Sequence, residues 1–300
     1  MGKVKATFCG TGMIGAGLAV NAILNDFDVT LYDVVNEEQI RKNINAVMNV
    51  MVEAGATTRE DAEKKLGRVR VCTDLTEAVK DVDFVQECAP ENLELKKKIY
   101  RQIQETAGGK CIIASSTSAL FPSALIEEAL YPEKIVVGHP FNPSYLLPVI
   151  EICGPHVPQE TIAETKKIYE AMGKVAIICR KEVRGYIANR INWAIMDAAT
   201  DGIREGLCSV EEMDKAIMFG PGMRTAVTGQ LLTLSLGVEG GYRNYPQKYG
   251  LAPDPIYDVM AKGIDEEIAS RSPDKGRDVA SVEKWRDKMF VEILKLQGMV

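Results

Sequence analysis

Short apolar runs recur through the first 185 residues, each followed by a stretch with helical spacing. Val4-Lys-Ala-Thr-Phe-Cys9 predicts a strand, Met13 to Leu24 a helix, and Val29-Thr-Leu-Tyr32 a second strand closed by Asp33. A long helical stretch runs from about Glu37 to Ala54. Val69–Cys72, Phe84–Gln86, Cys111–Ala114 and Ile135–Val137 predict further strands, with helical segments near Thr76 to Val79 and over Leu93 to Thr106 between them. Val149–Ile152, a helix over Thr161 to Met172, and Val175–Ile178 extend the region. Strands that alternate with helices imply a parallel sheet covered on both faces.

From Tyr186 the strand-like runs stop. Ile187, Ile191, Ile195 and Ala198 line one side of a helix, and Asn189, Trp193 and Met196 lie on roughly the opposite side. A helix apolar on two sides is usually buried between two bodies. It is therefore expected to be buried against the first domain, with the boundary near Gly185. The remainder reads as helical, broken at Gly220-Pro-Gly222, Gly240-Gly241 and Pro253-Asp-Pro255. The expected fold class is α/β. A Rossmann domain over residues 1–185, with a mainly parallel sheet extended by antiparallel strands, precedes an all-α domain over 186–300.

The 300-residue length suits two cores rather than one. No apolar run is long enough to span a membrane, and a strand begins too early to leave room for a signal peptide. The net charge of −6 argues against nucleic acid as a partner, because phosphate binding needs a basic surface. Seven cysteines in odd number, with no CxxC pair, read as reduced thiols of a cytoplasmic protein rather than a metal site or a disulfide framework.

Gly10-Thr-Gly12-Met13-Ile14-Gly15 follows the first strand and opens the first helix. The first glycine permits a tight turn, the second lets a pyrophosphate approach, and the third lets helix and strand pack closely. The helix start then offers free N–H groups to phosphate. Asp33 ends the second strand about twenty residues on, where the dinucleotide fingerprint places its acid. Its carboxylate would bond the ribose hydroxyls and repel a 2′-phosphate, which favours NAD over NADP.

His139 is one of only two histidines. It lies in Val137-Gly-His-Pro-Phe-Asn-Pro143, and Glu151 ends the next apolar run. An imidazole with a carboxylate in reach is a common means of moving a proton near neutral pH, and is also a common way of satisfying a core histidine. Ser115-Ser-Thr-Ser118 ends a strand on the carboxyl side of the sheet, where open α/β folds bind ligands. His156, in the loop Gly154-Pro-His-Val-Pro158, reads as a surface residue. Lys64 and Lys65 read as an exposed helix, and so do Lys97 and Lys98.

These motifs together resemble the L-3-hydroxyacyl-CoA dehydrogenase superfamily over essentially the whole chain. The resemblance rests on the glycine motif, Glu87-Cys-Ala-Pro-Glu91-Asn92-Leu-Glu-Leu-Lys96, Ser115–Ser118, His139-Pro-Phe-Asn-Pro143, Glu151 and Gly185-Tyr-Ile-Ala-Asn189-Arg190. It implies a catalytic set of His139, Glu151, Ser118 and Asn189. His139 would be the base and Glu151 its orienting partner, with Ser118 and Asn189 contacting substrate. Glu91 and Lys96 match positions near the nicotinamide end of the cofactor. The implied reaction is reversible oxidation of the 3-hydroxyl of a 3-hydroxy acid or 3-hydroxyacyl-CoA.

Phe219-Gly-Pro-Gly-Met-Arg224-Thr-Ala-Val-Thr-Gly229 is most like the branch that holds λ-crystallin (L-gulonate 3-dehydrogenase) and L-carnitine dehydrogenase. That favours a free 3-hydroxy acid over a CoA thioester and makes Arg224 a candidate for its carboxylate, since a guanidinium fork matches a carboxylate. Thr225-Ala-Val in place of aromatics is a departure, because a quaternary ammonium needs aromatic faces. Tyr242, Tyr245 and Tyr249 are the rings that the next helix would supply. A 3-hydroxyacyl-CoA dehydrogenase of fatty-acid metabolism is one alternative. A non-catalytic NAD-binding protein, as in the lens, is another. A β-hydroxyacid dehydrogenase would place a catalytic lysine on the boundary helix, but Tyr186 to Arg204 contains none. The helical second domain points to a homodimer.

Overall fold

Neighbouring residues on the central strands enter two different apolar cores, one on each face of a sheet. Phe84, Ile112, Ala114 and Val136 belong to the first core, and Val85, Ile113, Ile135 and Val137 to the second. This alternation along runs that are apolar throughout marks strands buried on both faces. The structure is a computed structural model that describes residues 3–300. Met1 and Gly2 lie outside the described residues.

The elements follow in chain order as β1 (Lys5–Cys9), α1 (Met13–Leu24), β2 (Asp28–Tyr32), α2 (Glu37–Glu53), α3 (Arg59–Leu66), β3 (Arg70–Cys72), α4 (Leu75–Ala78) and β4 (Phe84–Glu87). Then come α5 (Leu93–Ala107), β5 (Ile112–Ser115), α6 (Pro122–Leu125), β6 (Ile135–Pro140), β7 (Val149–Cys153), α7 (Gln159–Ala171), β8 (Val175–Cys179) and α8 (Ala188–Arg204). The sheet order is β3-β2-β1-β4-β5-β6-β7-β8. All pairs through β5–β6 are parallel, β7 runs antiparallel to β6, and β8 is parallel to β7. The strand order reverses between β1 and β4, which opens a crevice at the carboxyl ends of those strands.

The first core is closed by α1, α2 and α7 through residues such as Leu18, Ile44 and Tyr169. The second is closed by α4, α5 and α6 through Leu75, Tyr100 and Leu125. Only α3 was not given bounds by the apolar pattern among the longer helices of this region. It buries Ala62 alone and starts at Thr58, which accepts from the Asp61 N–H. Lys65 is more engaged than an exposed helix face implies, since its ammonium reaches the Leu24 carbonyl and Asp26, both at 2.9 Å.

One compact unit ends at Ala194, and the second runs Ile195–Val300. The second unit holds α9 (Val210–Ile217), α10 (Met223–Thr228), α11 (Gln230–Leu236), α12 (Tyr245–Lys248), α13 (Ile256–Ser270) and α14 (Val279–Leu296). Its core gathers Leu232, Leu236, Tyr242, Ala261, Ile264, Ile268 and Val282. Among the described residues no helix is long and apolar enough to cross a membrane.

The expectation that α8 is buried does not hold in the single chain. Ile191, Trp193, Ile195 and Met196 are 57%, 42%, 45% and 59% exposed. The two-sided apolar spacing is present, but periodicity identifies a surface that calls for cover without naming what covers it.

Candidate active site

The turn from β1 into α1 is shaped by two close approaches. Gly10 sits at φ 95°, a left-handed conformation that glycine adopts without a side-chain clash. A Cβ on Gly15 would lie 1.9 Å from the Gly10 carbonyl oxygen, so the helix packs on the strand only with glycine there. Gly12 is different, because a Cβ there meets nothing within 4 Å. No side chain caps the start of α1, and its first turn carries no acid. Met13 is exposed and Ile14 half-buried in that turn. An uncapped helix start beside open space is the environment that a pyrophosphate fits.

A cavity of about 640 Å³ adjoins this turn. Its walls include Gly10, Gly12, Asp33, Leu75, Pro90 and Ile99. Asp33 Oδ2 accepts from the Thr11 N–H at 2.6 Å and the Thr11 hydroxyl at 2.8 Å, while Oδ1 accepts from Val34 N–H at 2.7 Å. The acid thus ties the glycine turn to the end of β2 and stands at the cavity wall. These residues fit a dinucleotide: Gly10–Gly15 would take the diphosphate and Asp33 a ribose.

Strand pairing brings His139 and Glu151 together. In the antiparallel β6–β7 register they are direct cross-strand partners. His139 Nδ1 lies 2.9 Å from Glu151 Oε2, and both residues are buried. A carboxylate acceptor holds the imidazole proton on Nδ1 and leaves Nε2 as the free acceptor. The other carboxylate oxygen, Oε1, accepts from the N–H groups of Ile187 at 2.7 Å and Ala188 at 2.9 Å. Glu151 therefore satisfies the start of α8 as well as the histidine. Burial by itself raises the Glu151 carboxyl, but the His139 bond and the Ala188 and Ile187 N–H groups outweigh it, and the pKa is lowered. The carboxylate stays charged beside the imidazole.

Ser118 is exposed just beyond β5, and its two neighbours are held by one acid. Glu91 Oε1 accepts from the Thr117 hydroxyl and from the Ala119 N–H at 3.0 Å. Lys96 is turned inward in this structure. It is 1% exposed, and its ammonium donates to Glu87 Oε1 at 2.7 Å and the Ala89 carbonyl at 3.0 Å. Glu87 Oε2 also accepts from the Tyr100 hydroxyl at 2.6 Å and from Ser115 at 2.8 Å. With its charge enclosed, Lys96 holds the Ala89-Pro90-Glu91 turn rather than reaching the cavity. Glu87 was quoted only as part of a motif, and its buried, fully bonded carboxylate is the residue on which this network converges.

Asn189 is half-buried at the second position of α8, directly after the Ala188 N–H that Glu151 holds, and not among buried neighbours as expected. Arg224 is exposed in the first turn of α10 and has no ion-pair partner among the described residues. His156 is exposed, with Nε2 3.6 Å from Glu182. Two further residues escaped sequence reasoning. Tyr186 packs its ring beside His139, with centroids 5.3 Å apart. Lys174 is buried with its ammonium 3.3 Å from the Leu147 carbonyl and bonded to the Ser144 carbonyl, in the loop after His139. Burial pushes this amine down to about 8. Only a lysine immediately after Gly173, ahead of an apolar run, hinted at the second of these.

A doubly covered parallel sheet whose switch point opens on an uncapped helix start is the frame of an NAD-dependent oxidoreductase, and this chain is of that class. It belongs to the 3-hydroxyacyl-CoA dehydrogenase family: residues 5–183 match the family's NAD binding domain and residues 185–276 its C-terminal domain. Among its relatives, an L-carnitine dehydrogenase from a Pseudomonas species is 35% identical over 96% of this chain and 92% of its own length. A human lambda-crystallin homolog is 31% identical over 97% of this chain and 95% of its own. The crystal structure of (S)-3-hydroxybutyryl-CoA dehydrogenase from Ralstonia eutropha superposes with a TM-score of 0.66 at 25% identity, over 89% of this chain and 93% of that one.

Proposed function

We propose that the protein oxidises the C3 hydroxyl of a free 3-hydroxy acid to the 3-keto acid, reversibly, with His139 as general base and Glu151 as the residue that orients it. The observation that carries this reading is the 2.9 Å pairing of His139 Nδ1 with Glu151, toward the carboxyl end of β6, which runs parallel to the strand that ends in the glycine turn. In the oxidation direction His139 Nε2 takes the hydroxyl proton while the C3 hydrogen leaves with its electron pair. Bound NAD supplies the hydride acceptor. Glu151 stabilises the imidazolium as it forms, as the acid of a hydrolase triad does. Ser118 is assigned to the reacting oxygen and Asn189 to the substrate and the order of the site. Residues 1–185 serve the cofactor, and 186–300 serve substrate and association.

Arg224 is assigned to the free carboxylate of the substrate, on its chemistry and its lack of a partner. The tyrosines of the second unit favour an acid without a quaternary ammonium. Tyr242 and Tyr245 stack on each other at 5.0 Å, Tyr249 meets Tyr245 at 4.7 Å, and the Lys248 ammonium lies 5.7 Å from the Tyr249 ring. They pack against one another, with a cation beside the outermost ring, rather than standing apart as the walls of a box.

Arg224→Ala is expected to raise KM for a free 3-keto acid roughly tenfold to a hundredfold, the loss of a charge-assisted bond, with kcat little changed. Reduction of acetoacetyl-CoA should be slower than that of a free 3-keto acid at equal concentration. Unchanged free-acid kinetics in the variant would remove the arginine assignment, and a much faster thioester would return the protein to the acyl-CoA branch. The exposed apolar stripe of α8 supports a homodimer, and sedimentation as a monomer at micromolar concentration would count against it. The free state of all seven cysteines suits a cytoplasmic protein.

A further inference from the structure

From the turn before α8 we infer that Tyr186 is a positioning residue that ties the His139 imidazole to the Ser118 loop, an inference that rests on the catalytic reading of His139 above. Three observations meet in this side chain. It is 1% exposed, and its ring stands 5.3 Å from the His139 ring at an interplanar angle of 37°. Its hydroxyl donates to the Leu120 carbonyl at 3.0 Å, two residues beyond Ser118. Its backbone lies at φ 49°, in the left-handed region that a tyrosine rarely occupies.

The backbone conformation follows from what the turn has to deliver. Gly185 precedes it at φ 77°, and a Cβ there would meet the Trp193 ring at 2.3 Å. Two successive left-handed residues bend the chain sharply. The bend lays the Tyr186 ring beside His139 and sends the next two N–H groups, of Ile187 and Ala188, to Glu151. One turn thus contacts both members of the proton-transfer pair, and the phenol then reaches the strand-end loop that carries Ser118. Burial pushes the phenol pKa up, so the hydroxyl remains a donor. Strain held by surrounding contacts at a site is the pattern expected where geometry matters to function.

Base and serine stand on different strands, β6 and the end of β5, and both have to meet one hydroxyl of the substrate. A misplacement of about 1 Å in such a constellation costs on the order of a hundredfold in rate. The Leu120 bond joins the turn beside His139 to the loop that carries Ser118.

Tyr186→Phe keeps the ring and the apolar packing and removes only that bond. The expected result is a kcat about tenfold lower, with NADH affinity unchanged and melting temperature close to wild type. The primary deuterium isotope effect on kcat, with substrate deuterated at C3, should grow because the chemical step has slowed relative to release. A kcat and an isotope effect both equal to wild type, in a preparation where His139→Gln is inactive, would overturn the inference. Full activity of His139→Gln would instead overturn the catalytic reading on which it rests.

Discussion

Replacing His139 by Gln is expected to lower kcat by about a hundred- to ten-thousand-fold, the usual worth of general acid–base catalysis. The substitution is chosen to isolate chemistry from packing. Glutamine is polar, of similar length, and can still bond the Glu151 carboxylate that the histidine meets at 2.9 Å. It cannot take a proton. Nothing in the glycine turn depends on it, so NADH affinity is expected to stay within about twofold of wild type. Stopped-flow NADH formation and a fluorescence titration read the two quantities separately. A variant that keeps kcat within about tenfold of wild type would mean that His139 is a satisfied core residue and not the base.

The second large effect is expected at Gly15. Its Cβ would stand 1.9 Å from the Gly10 carbonyl oxygen and 2.9 Å from the carbonyl carbon, both backbone atoms that cannot turn aside. The Gly15→Ala variant therefore has to lift the start of α1 off the end of β1. A shift of that size at an anion site is expected to weaken NADH binding by about a hundredfold or more, and overpacking adds about 1–3 kcal/mol of destabilisation. Gly12→Ala supplies the contrast. With nothing within 4 Å, a methyl there fits the empty protein and takes up the space that a diphosphate needs. Melting temperature should fall for Gly15→Ala and hold for Gly12→Ala, while calorimetric titration with NADH shows weakened binding in both. Normal binding by both variants would contradict the assignment of this turn to the cofactor.

One acid couples two parts of the site. Glu151 divides its two oxygens between the imidazole and the first N–H groups of α8. Any displacement of that helix start is therefore felt at the histidine through a single carboxylate. Asn189, the next residue after Ala188, is placed by the same bonds.

What the sequence made legible depended on which kind of regularity each feature has. The strands and α1 were readable because burial on two faces leaves continuous apolar runs, and α1 spans Met13–Leu24, as its spacing implies. The Gly10–Gly15 turn was readable because glycine at fixed spacing has few other uses beside a strand. α3 was not delimited because Arg59–Leu66 buries a single alanine and has no apolar period. The inward turn of Lys96 was not legible, for a different reason. Its place in a motif says nothing of where its ammonium goes, and the unremarked Glu87 at the end of β4 draws it inward. Tyr186 stands in the Gly185–Arg190 motif, but its place beside His139 was not legible, because a left-handed φ on a tyrosine leaves no mark in composition or period. The exposure of α8 is a limit of the same kind, since a stripe of apolar residues does not say whether its partner lies in the same chain.

Oxidation of a free 3-hydroxy acid is the activity proposed for this NAD-binding fold. The most direct measurement is NADH formation by the purified protein given NAD and, in turn, a panel of free 3-hydroxy acids (L-gulonate and L-carnitine among them) and 3-hydroxyacyl-CoA thioesters, with NADP as the control for Asp33. Turnover of at least one free acid is expected, faster than any thioester and strongly dependent on NAD rather than NADP. Tight NADH binding with no turnover of any member of the panel would contradict it and leave a fold that keeps its cofactor site without the chemistry.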